Sequence, residues 1–287
     1  MVTAHTFKVG LVSWPVGHSL SPVMHNAAFT ELGLDWIYLP LPVEPSHLEE
    51  GVRGLVALNF TGFNVSVPHK TNMVKFLDEK SEAVTQMRAV NTVKIADSRL
   101  IGSNTDPEGF IRALREGGME PEGKRVVIMG AGGAARAALY GLSTLQGTSV
   151  VVIDVVEQQA LSIVRDMGAT FPPHALSYRI ASDESFVAIR ENVDLLVNAS
   201  PIGMNPHTDA SAWPDSIDLP EKAVCFDMVY NPLNTKFLDR ASRAGLKTIS
   251  GLGMLVNQGA VSFETWTGEK APRDLMYAVC LKTLNNE

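Results

Sequence analysis

The stretch that most constrains this chain is residues 124–136, KRVVIMGAGGAAR. An apolar run of strand type, residues 125–129, stops at Gly130; a turn of small residues follows, and from Ala134 the sequence AARAALYGLSTL reads as an alanine-rich helix. Strand, glycine turn and helix in that order build a phosphate-binding geometry, because the first N–H groups of a helix lack intrahelical partners and sit at the positive end of its dipole. Gly130 permits the tight turn, Gly132 lets a pyrophosphate approach the backbone, and Ala135 is small enough for helix and strand to pack closely. A second apolar run, residues 149–153, follows the helix and ends at Asp154. A carboxylate roughly 20 residues past the glycines suits a ribose diol; the plainer reading of Asp154 is a turn or capping role. Dinucleotide binding is the expectation for this stretch.

The bulk composition narrows the partners. The chain has 287 residues, 45% apolar and 19% charged, which is ordinary globular composition with room for one large or two medium domains. A formal net charge of −7 argues against nucleic acid or an anionic membrane as the main partner. No apolar run approaches the roughly 20 residues of a membrane span, and the first ten residues lack the basic and long apolar regions of a signal peptide. A cytoplasmic protein acting on a small molecule, as monomer or homodimer, is expected. Cys225 and Cys280 share no metal-type spacing and the seven histidines show no ligand spacing, so no metal site is expected and the cysteines read as reduced.

Along the chain, strands are expected at residues 7–12, 36–43, 60–67, 149–153, 194–198, 223–227 and 247–249, with a hairpin of 90–95 and 100–104 around Asp97-Ser98. Ser21-Pro22 reads as an N-cap followed by proline, Ser46 with Glu49 as a capping box, and residues 68–70 as a helix start. Asp106-Pro107 repeats the cap-then-proline pattern and opens a helix over 108–116. Further helices fall at 157–167, 235–244, 254–266 and 272–284. Strands alternating with helices predict an α/β fold with parallel sheets and right-handed crossovers.

In open α/β sheets ligands sit beyond the carboxyl ends of the strands. Ser19 and Ser21 follow the first strand, Asn64, Ser66 and Lys70 lie at or past the end of the third, Asn91 begins the hairpin and Asp106 follows it. Each has a structural reading of its own: Ser21 and Asp106 as helix caps, Lys70 as a solvated surface lysine, the asparagines as partners of loop backbone, and His25 and His69 as packed rings. Taken together they suit a small polyhydroxylated ligand, and a lysine can take the proton of a carbinol hydroxyl when hydride leaves the carbon.

These residues, in this order, resemble the shikimate dehydrogenase family. Its motifs stand here as SLSP (19–22) with His25-Asn26, GFNVSVPHK (62–70), AVNT (89–92), NTD (104–106), GAGGAAR (130–136), VNASPIGM (197–204), DMVYNP (227–232) and GLGMLVNQGA (251–260), over nearly the whole chain. The resemblance implies two domains: an N-terminal α/β substrate domain with a mixed sheet, residues 1–108 and 251–287, and a Rossmann-type dinucleotide-binding domain, residues 109–250. The C-terminal helices return to the first domain. It implies reversible reduction of 3-dehydroshikimate to shikimate, in the route to chorismate and aromatic amino acids, with Lys70 and Asp106 as the catalytic pair. Ser19, Ser21, Asn64, Ser66, Lys70, Asn91, Asp106, Tyr230 and Gln258 surround the substrate. Gly130, Ala131, Gly132, Gly133, Ala134, Asp154, Ala199, Met204, Gly251 and Met254 hold the nicotinamide cofactor.

Two positions depart from the family pattern. Biosynthetic members commonly carry threonine where Ser66 stands; serine resembles the branch that also accepts quinate, so an NAD-dependent quinate/shikimate dehydrogenase of quinate catabolism is the alternative. NADP-using members usually carry an Asn-Arg-Thr cluster after the second strand of the dinucleotide domain, where this chain has Asp154-Val155-Val156, and no Arg or Lys occurs between Arg136 and Arg165. A carboxylate accepts from ribose hydroxyls and repels a 2′-phosphate, so NAD is favoured, with NADP as the alternative. A folate-linked dehydrogenase and a non-catalytic nucleotide sensor are more distant rivals, because neither needs the ring-binding set.

Overall fold

The computed structural model of the chain describes residues 2–286. The chain divides between Thr105 and Asp106 and again between Leu255 and Val256; the two outer segments make one compact unit and Asp106–Leu255 makes the other.

The first unit runs β1 (Phe7–Ser13), α1 (Ser21–Glu31), β2 (Trp36–Pro42), α2 (Leu48–Ala57), β3 (Gly62–Val65), β4 (Glu79–Lys80), α3 (Glu82–Met87), β5 (Thr92–Ala96) and β6 (Arg99–Ser103). Its six strands lie in the order β2-β1-β3-β5-β6-β4. β1 is parallel to β2 and β3, while β3–β5 and β5–β6 are antiparallel, so the sheet is mixed. The continuous apolar character of β1 fits a central strand covered on both faces. At the β5–β6 hairpin Asp97 and Ser98 both have positive φ (49° and 62°), as a two-residue turn matched to the strand twist requires.

Three local expectations are corrected here. Ser21 is the first residue of α1 and does not cap it; Leu20 holds the cap position without a side-chain bond, and Ser19 Oγ accepts the Ser21 N–H at 3.2 Å. Proline is tolerated anywhere in a first helical turn, so Pro22 does not fix which residue precedes it. The Ser46–Glu49 capping box does not form: Pro45–His47 is a 3₁₀ turn and α2 begins at Leu48, while Glu49 pairs with Arg53 at 2.6 Å. Residues 68–70 form turns, and the helical element that follows is a 3₁₀ segment, Asn72–Phe76.

The second unit contains α4 (Asp106–Glu116), β7 (Arg125–Met129), α5 (Gly133–Ser143), β8 (Ser149–Asp154), α6 (Glu157–Met167), β9 (Leu176–Ile180), α7 (Asp183–Ile189), β10 (Leu195–Asn198), β11 (Val224–Asp227), α8 (Lys236–Arg243) and β12 (Thr248–Ser250). Its strands are all parallel, in the order β12-β11-β10-β7-β8-β9, a doubly wound arrangement. The buried centre holds Val126, Ile128, Leu195, Val197 and Phe226, with Phe110 of α4 edge-on to Phe226 at 5.2 Å. β9 and α7 have no counterpart in the sequence reading. β9 is an edge strand whose residues alternate between exposed and half-buried, and α7 is one short helix capped by Ser182. α9 (Leu252–Thr267) begins in the second unit and continues in the first, where α10 (Arg273–Leu284) follows.

In the first unit the returning helix is seated by a glycine. Trp266 of α9 donates from Nε1 to the Val93 carbonyl at 3.0 Å, and a Cβ on Gly62 would overlap both groups. Gly62→Ala should therefore destabilise the fold by about 2 kcal/mol, read as a lower midpoint in urea unfolding; an unchanged midpoint would show that Trp266 has room to shift.

Candidate functional site

The glycine turn has the backbone its sequence demands. Gly130 sits at φ +103°, and a Cβ there would press on the Ala199 backbone at 3.0 Å. At Gly132 and Gly133 a Cβ would meet no described heavy atom within 4 Å, and α5 starts at Gly133 without a side-chain cap. Asp154 Oδ2 accepts the Ala131 N–H at 2.7 Å and Oδ1 accepts the Val156 N–H at 2.8 Å. The carboxylate thus holds the glycine turn against the end of β8, and each oxygen keeps a second lone pair. Beside it Val155 is 76% exposed, and Arg136 is committed to Asp166 at 3.0 Å. Open space over the glycines, an uncapped helix start and an acceptor at the strand end fit a dinucleotide's pyrophosphate and ribose.

The next loops of that unit leave the same edge. Register places Met129, Asn198, Asp227 and Ser250 side by side at the ends of β7, β10, β11 and β12. Asp227 is fully buried. Its Oδ1 accepts from Asn198 Nδ2 and from the Val229 N–H, both at 2.9 Å, and its Oδ2 accepts from Thr235 Oγ1 at 2.6 Å. Burial pushes its pKa up to about 6 against the opposing pull of these three donors. Met204 is exposed, Tyr230 and Met254 are half-buried, and Gly251 is packed so tightly that a Cβ would overlap the Met228 carbonyl.

In the first unit, the turn bearing Lys70 is pinned from several sides. Ser66 N–H donates to the Val12 carbonyl at 2.9 Å and Ser13 Oγ donates to the Val67 carbonyl at 2.9 Å. The fully buried His69 donates from Nε2 to the Val43 carbonyl at 2.7 Å, and the Val90 N–H donates to the Lys70 carbonyl at 3.0 Å. Ser66 and Lys70 themselves are half-buried.

Behind this turn lies a buried polar network. Tyr38 Oη donates to Asn64 Oδ1 at 2.8 Å; Asn64 Nδ2 faces the Asn91 carbonyl, Thr92 Oγ1 and Ser262 Oγ at 3.0–3.1 Å. Asn91 Oδ1 accepts from the Thr105 N–H (2.8 Å) and Thr92 Oγ1 (2.9 Å), and its Nδ2 donates to Thr105 Oγ1 (2.9 Å) and Gln258 Oε1 (3.3 Å). The backbone N–H of Thr105 cannot reverse, so it fixes the orientation of the Asn91 amide, and Asn91 in turn directs the oxygen of Gln258 inward. Tyr38 also bonds the Ser21 side chain, and burial holds its hydroxyl far above its ordinary range.

His25 is a packed ring in this structure. It stacks parallel on Tyr38 at 4.5 Å, with Phe29, Phe263 and Trp266 around it, and neither ring nitrogen has a hydrogen-bond partner among the described residues.

Of the residues singled out from sequence, Asn64, Asn91 and Gln258 meet in one network, Ser19 bonds Ser21, and Ser66 and Lys70 share one turn. Gly130, Ala131 and Asp154 are joined by the bond from the Ala131 N–H to the carboxylate, and Asp106, expected as the cap of a helix over 108–116, is instead the buried first residue of α4. Sequence reasoning missed Tyr38, Thr92, Thr105, Ser262, Asn198 and Asp227. Ser262 carried a faint signal, four residues beyond Gln258 on the same helix face; Tyr38 carried none.

The glycine turn on a parallel sheet, with its acidic strand end, defines a dinucleotide-binding oxidoreductase fold. Residues 11–93 match the shikimate dehydrogenase substrate binding domain, and residues 251–281 match the shikimate 5′-dehydrogenase C-terminal domain. A shikimate dehydrogenase (NADP(+)) from Methanopyrus kandleri is 42% identical over 284 residues, 99% of this chain and 98% of that one. A shikimate dehydrogenase solved in complex with NADP+ aligns with a TM-score of 0.90 at 36% identity, over 99% of this chain and 98% of the other. The Listeria monocytogenes shikimate 5-dehydrogenase, solved with shikimate and NAD, aligns with a TM-score of 0.88 at 35% identity, over 97% and 98% of the two chains. The chain belongs to the shikimate dehydrogenase family, NAD(P)-dependent oxidoreductases acting on a CH–OH group.

The His25 environment has a measurable consequence. Burial lowers its pKa from 6.5 to about 3, so between those values the unfolded chain binds a proton that the folded protein refuses, and stability falls as pH drops below 6.5. His25→Phe should remove this term. Between pH 7 and pH 4.5 the parent should lose about 2.5 kcal/mol more than the variant, measured by urea unfolding at each pH; parallel losses would mean His25 is protonated in the folded state.

Proposed function

We propose that this protein interconverts shikimate and 3-dehydroshikimate, with NAD as its preferred carrier. The proposed ring-binding residues come chiefly from the outer unit, and the dinucleotide-binding ones from the inner unit. The pinned turn bearing Lys70, backed by the buried amide network, carries this reading. A nicotinamide, when bound, supplies the hydride acceptor or donor. Ser19, Ser21, Asn64, Ser66, Asn91, Tyr230 and Gln258 hold the ring hydroxyls and carboxylate, and Lys70 takes the proton from the 3-hydroxyl as hydride leaves the same carbon. Asp106 is the second member of the proposed catalytic pair and orients that hydroxyl. On the dinucleotide side the assigned residues are Gly130, Ala131, Gly132, Gly133, Ala134, Asp154, Ala199, Met204, Gly251 and Met254.

The preference for NAD rests on Asp154. Its carboxylate lies at the strand end where the ribose binds in this fold, and Val155 and Val156 beside it carry no charge. Arg136 is already paired with Asp166. A 2′-phosphate would meet a negative charge there. The Methanopyrus kandleri relative is a shikimate dehydrogenase (NADP(+)), which favours the NADP alternative; Asp154 favours NAD. A second reading, use of quinate as well, is favoured by Ser66, which lacks the methyl group of the threonine common in this position; such a swap discriminates only modestly.

Turnover of shikimate and quinate, each with NAD and with NADP, tests these assignments together. Shikimate with NAD should give the highest kcat/KM; equal or better efficiency with NADP would overturn the cofactor assignment. Lys70→Ala should lower kcat by about 10²- to 10⁴-fold with a smaller change in KM. A rise in KM alone would make Lys70 a binding group.

A further inference from the structure

The loops after β10 and β11 are organised by a carboxylate sealed inside the inner unit. Asp227 is fully buried, and its three donors belong to three segments: Asn198 at the end of β10, Val229 in the loop after β11, and Thr235 at the start of α8. Thr235 passes the contact on, since its Oγ1 also accepts the Leu238 N–H as the cap of α8. Asn198 passes it the other way. With Nδ2 turned to Asp227 and to the Ile202 carbonyl (3.0 Å), its Oδ1 faces Ser200 and accepts from both the Ser200 N–H (3.1 Å) and Oγ (2.6 Å). Ser200 Oγ then accepts the Ile202 N–H at 3.3 Å.

A carboxylate differs from an amide or a hydroxyl here because it can only accept. It leaves Asn198 a single orientation, and that orientation sets the path of residues 199–204. A buried carboxylate without a cation is costly, and burial dominates its shifted acidity. Turn closure alone would be met more cheaply by a neutral side chain.

We infer that Asp227 is a positioning residue for the dinucleotide: acting through Asn198 and Ser200, it fixes the loop that carries Ala199 and Met204. The inference rests on the dinucleotide reading of that loop. Asp227→Ala leaves Asn198 and Val229 without their acceptor. Asp227→Asn keeps one oxygen for both, and Ser200→Ala cuts the chain further out. NADH and NADPH titrations, followed by nucleotide fluorescence at 25 °C on protein shown by circular dichroism to be folded, read the loop without turnover. Asp227→Ala should weaken binding of the preferred nucleotide about tenfold, with KM rising to match and kcat within about threefold; Asp227→Asn should recover most of the affinity. Folded Asp227→Ala that binds and turns over within about twofold of the parent would reduce Asp227 to a structural role and overturn the inference. Where Asp227→Ala does not fold, Ser200→Ala decides: about threefold weaker binding supports the inference and parental affinity overturns it. A parent that binds neither nucleotide would overturn the dinucleotide reading, and the inference with it, before any variant is compared.

Discussion

A buried amide has an acceptor end and a donor end, and folding is penalised unless both find partners. In the outer unit that demand falls on Asn64 and Asn91. Meeting it draws β3, β5, the segment before α4 and the C-terminal helix α9 to one place, because Thr92, Thr105, Gln258 and Ser262 are the groups that answer. The direction of each bond follows from one backbone N–H that cannot turn round. Asn64 and Asn91, both among the proposed ring-binding residues, are therefore preset by neighbouring hydroxyls and backbone. The His25–Tyr38 stack serves the same end from the apolar side, holding the Tyr38 hydroxyl at Asn64 with a ring that stays neutral.

The inner unit solves its geometry with carboxylates. Asp154 and Asp227 both stand at strand ends and each accepts a backbone N–H two residues on, from Val156 and Val229; Asp154 also accepts that of Ala131 in the turn after β7. They differ in what else can reach them. Asp154 is partly open and keeps lone pairs to spare, whereas Asp227 is sealed and spends its oxygens on protein. One chemical group thus ties backbone turns at both strand ends, and burial decides which carboxylate keeps an open face.

The α/β class, the parallel inner sheet and the glycine turn were legible because each has a local signature: apolar runs, turn glycines, cap-like pairs; alternation alone predicted a parallel outer sheet too, and its mixed character came only with the family resemblance. The candidate residues were legible because they follow strands and stand in recognisable order. Helix starts were less so. Ser21 and Ser46 both read as caps, yet neighbouring prolines shift the first turn by a residue or more and the backbone takes a different donor or acceptor. The supporting groups were not legible at all. Tyr38 and Asp227 act by contacts 26 and 29 residues away in sequence, and no periodicity encodes which buried amide a distant hydroxyl or carboxylate will meet. β9 escaped because an edge strand with half-exposed residues has the composition of a loop.

The path of the chain carries one more consequence. Thr105 and Gln258 approach within 3.5 Å, so the chain leaves the outer unit and re-enters it at nearly the same point, with the whole inner unit made in between. A ribosome therefore delivers β1 to β6 first, with Asn64 and Thr92 still lacking Ser262 and with the seat of Trp266 bare. At typical elongation rates that state lasts on the order of ten seconds. The inner unit is continuous and has every strand of its sheet before the last two helices emerge. In the nascent chain the half that begins first is completed last, and its polar centre stays wet until the final helices arrive to close it.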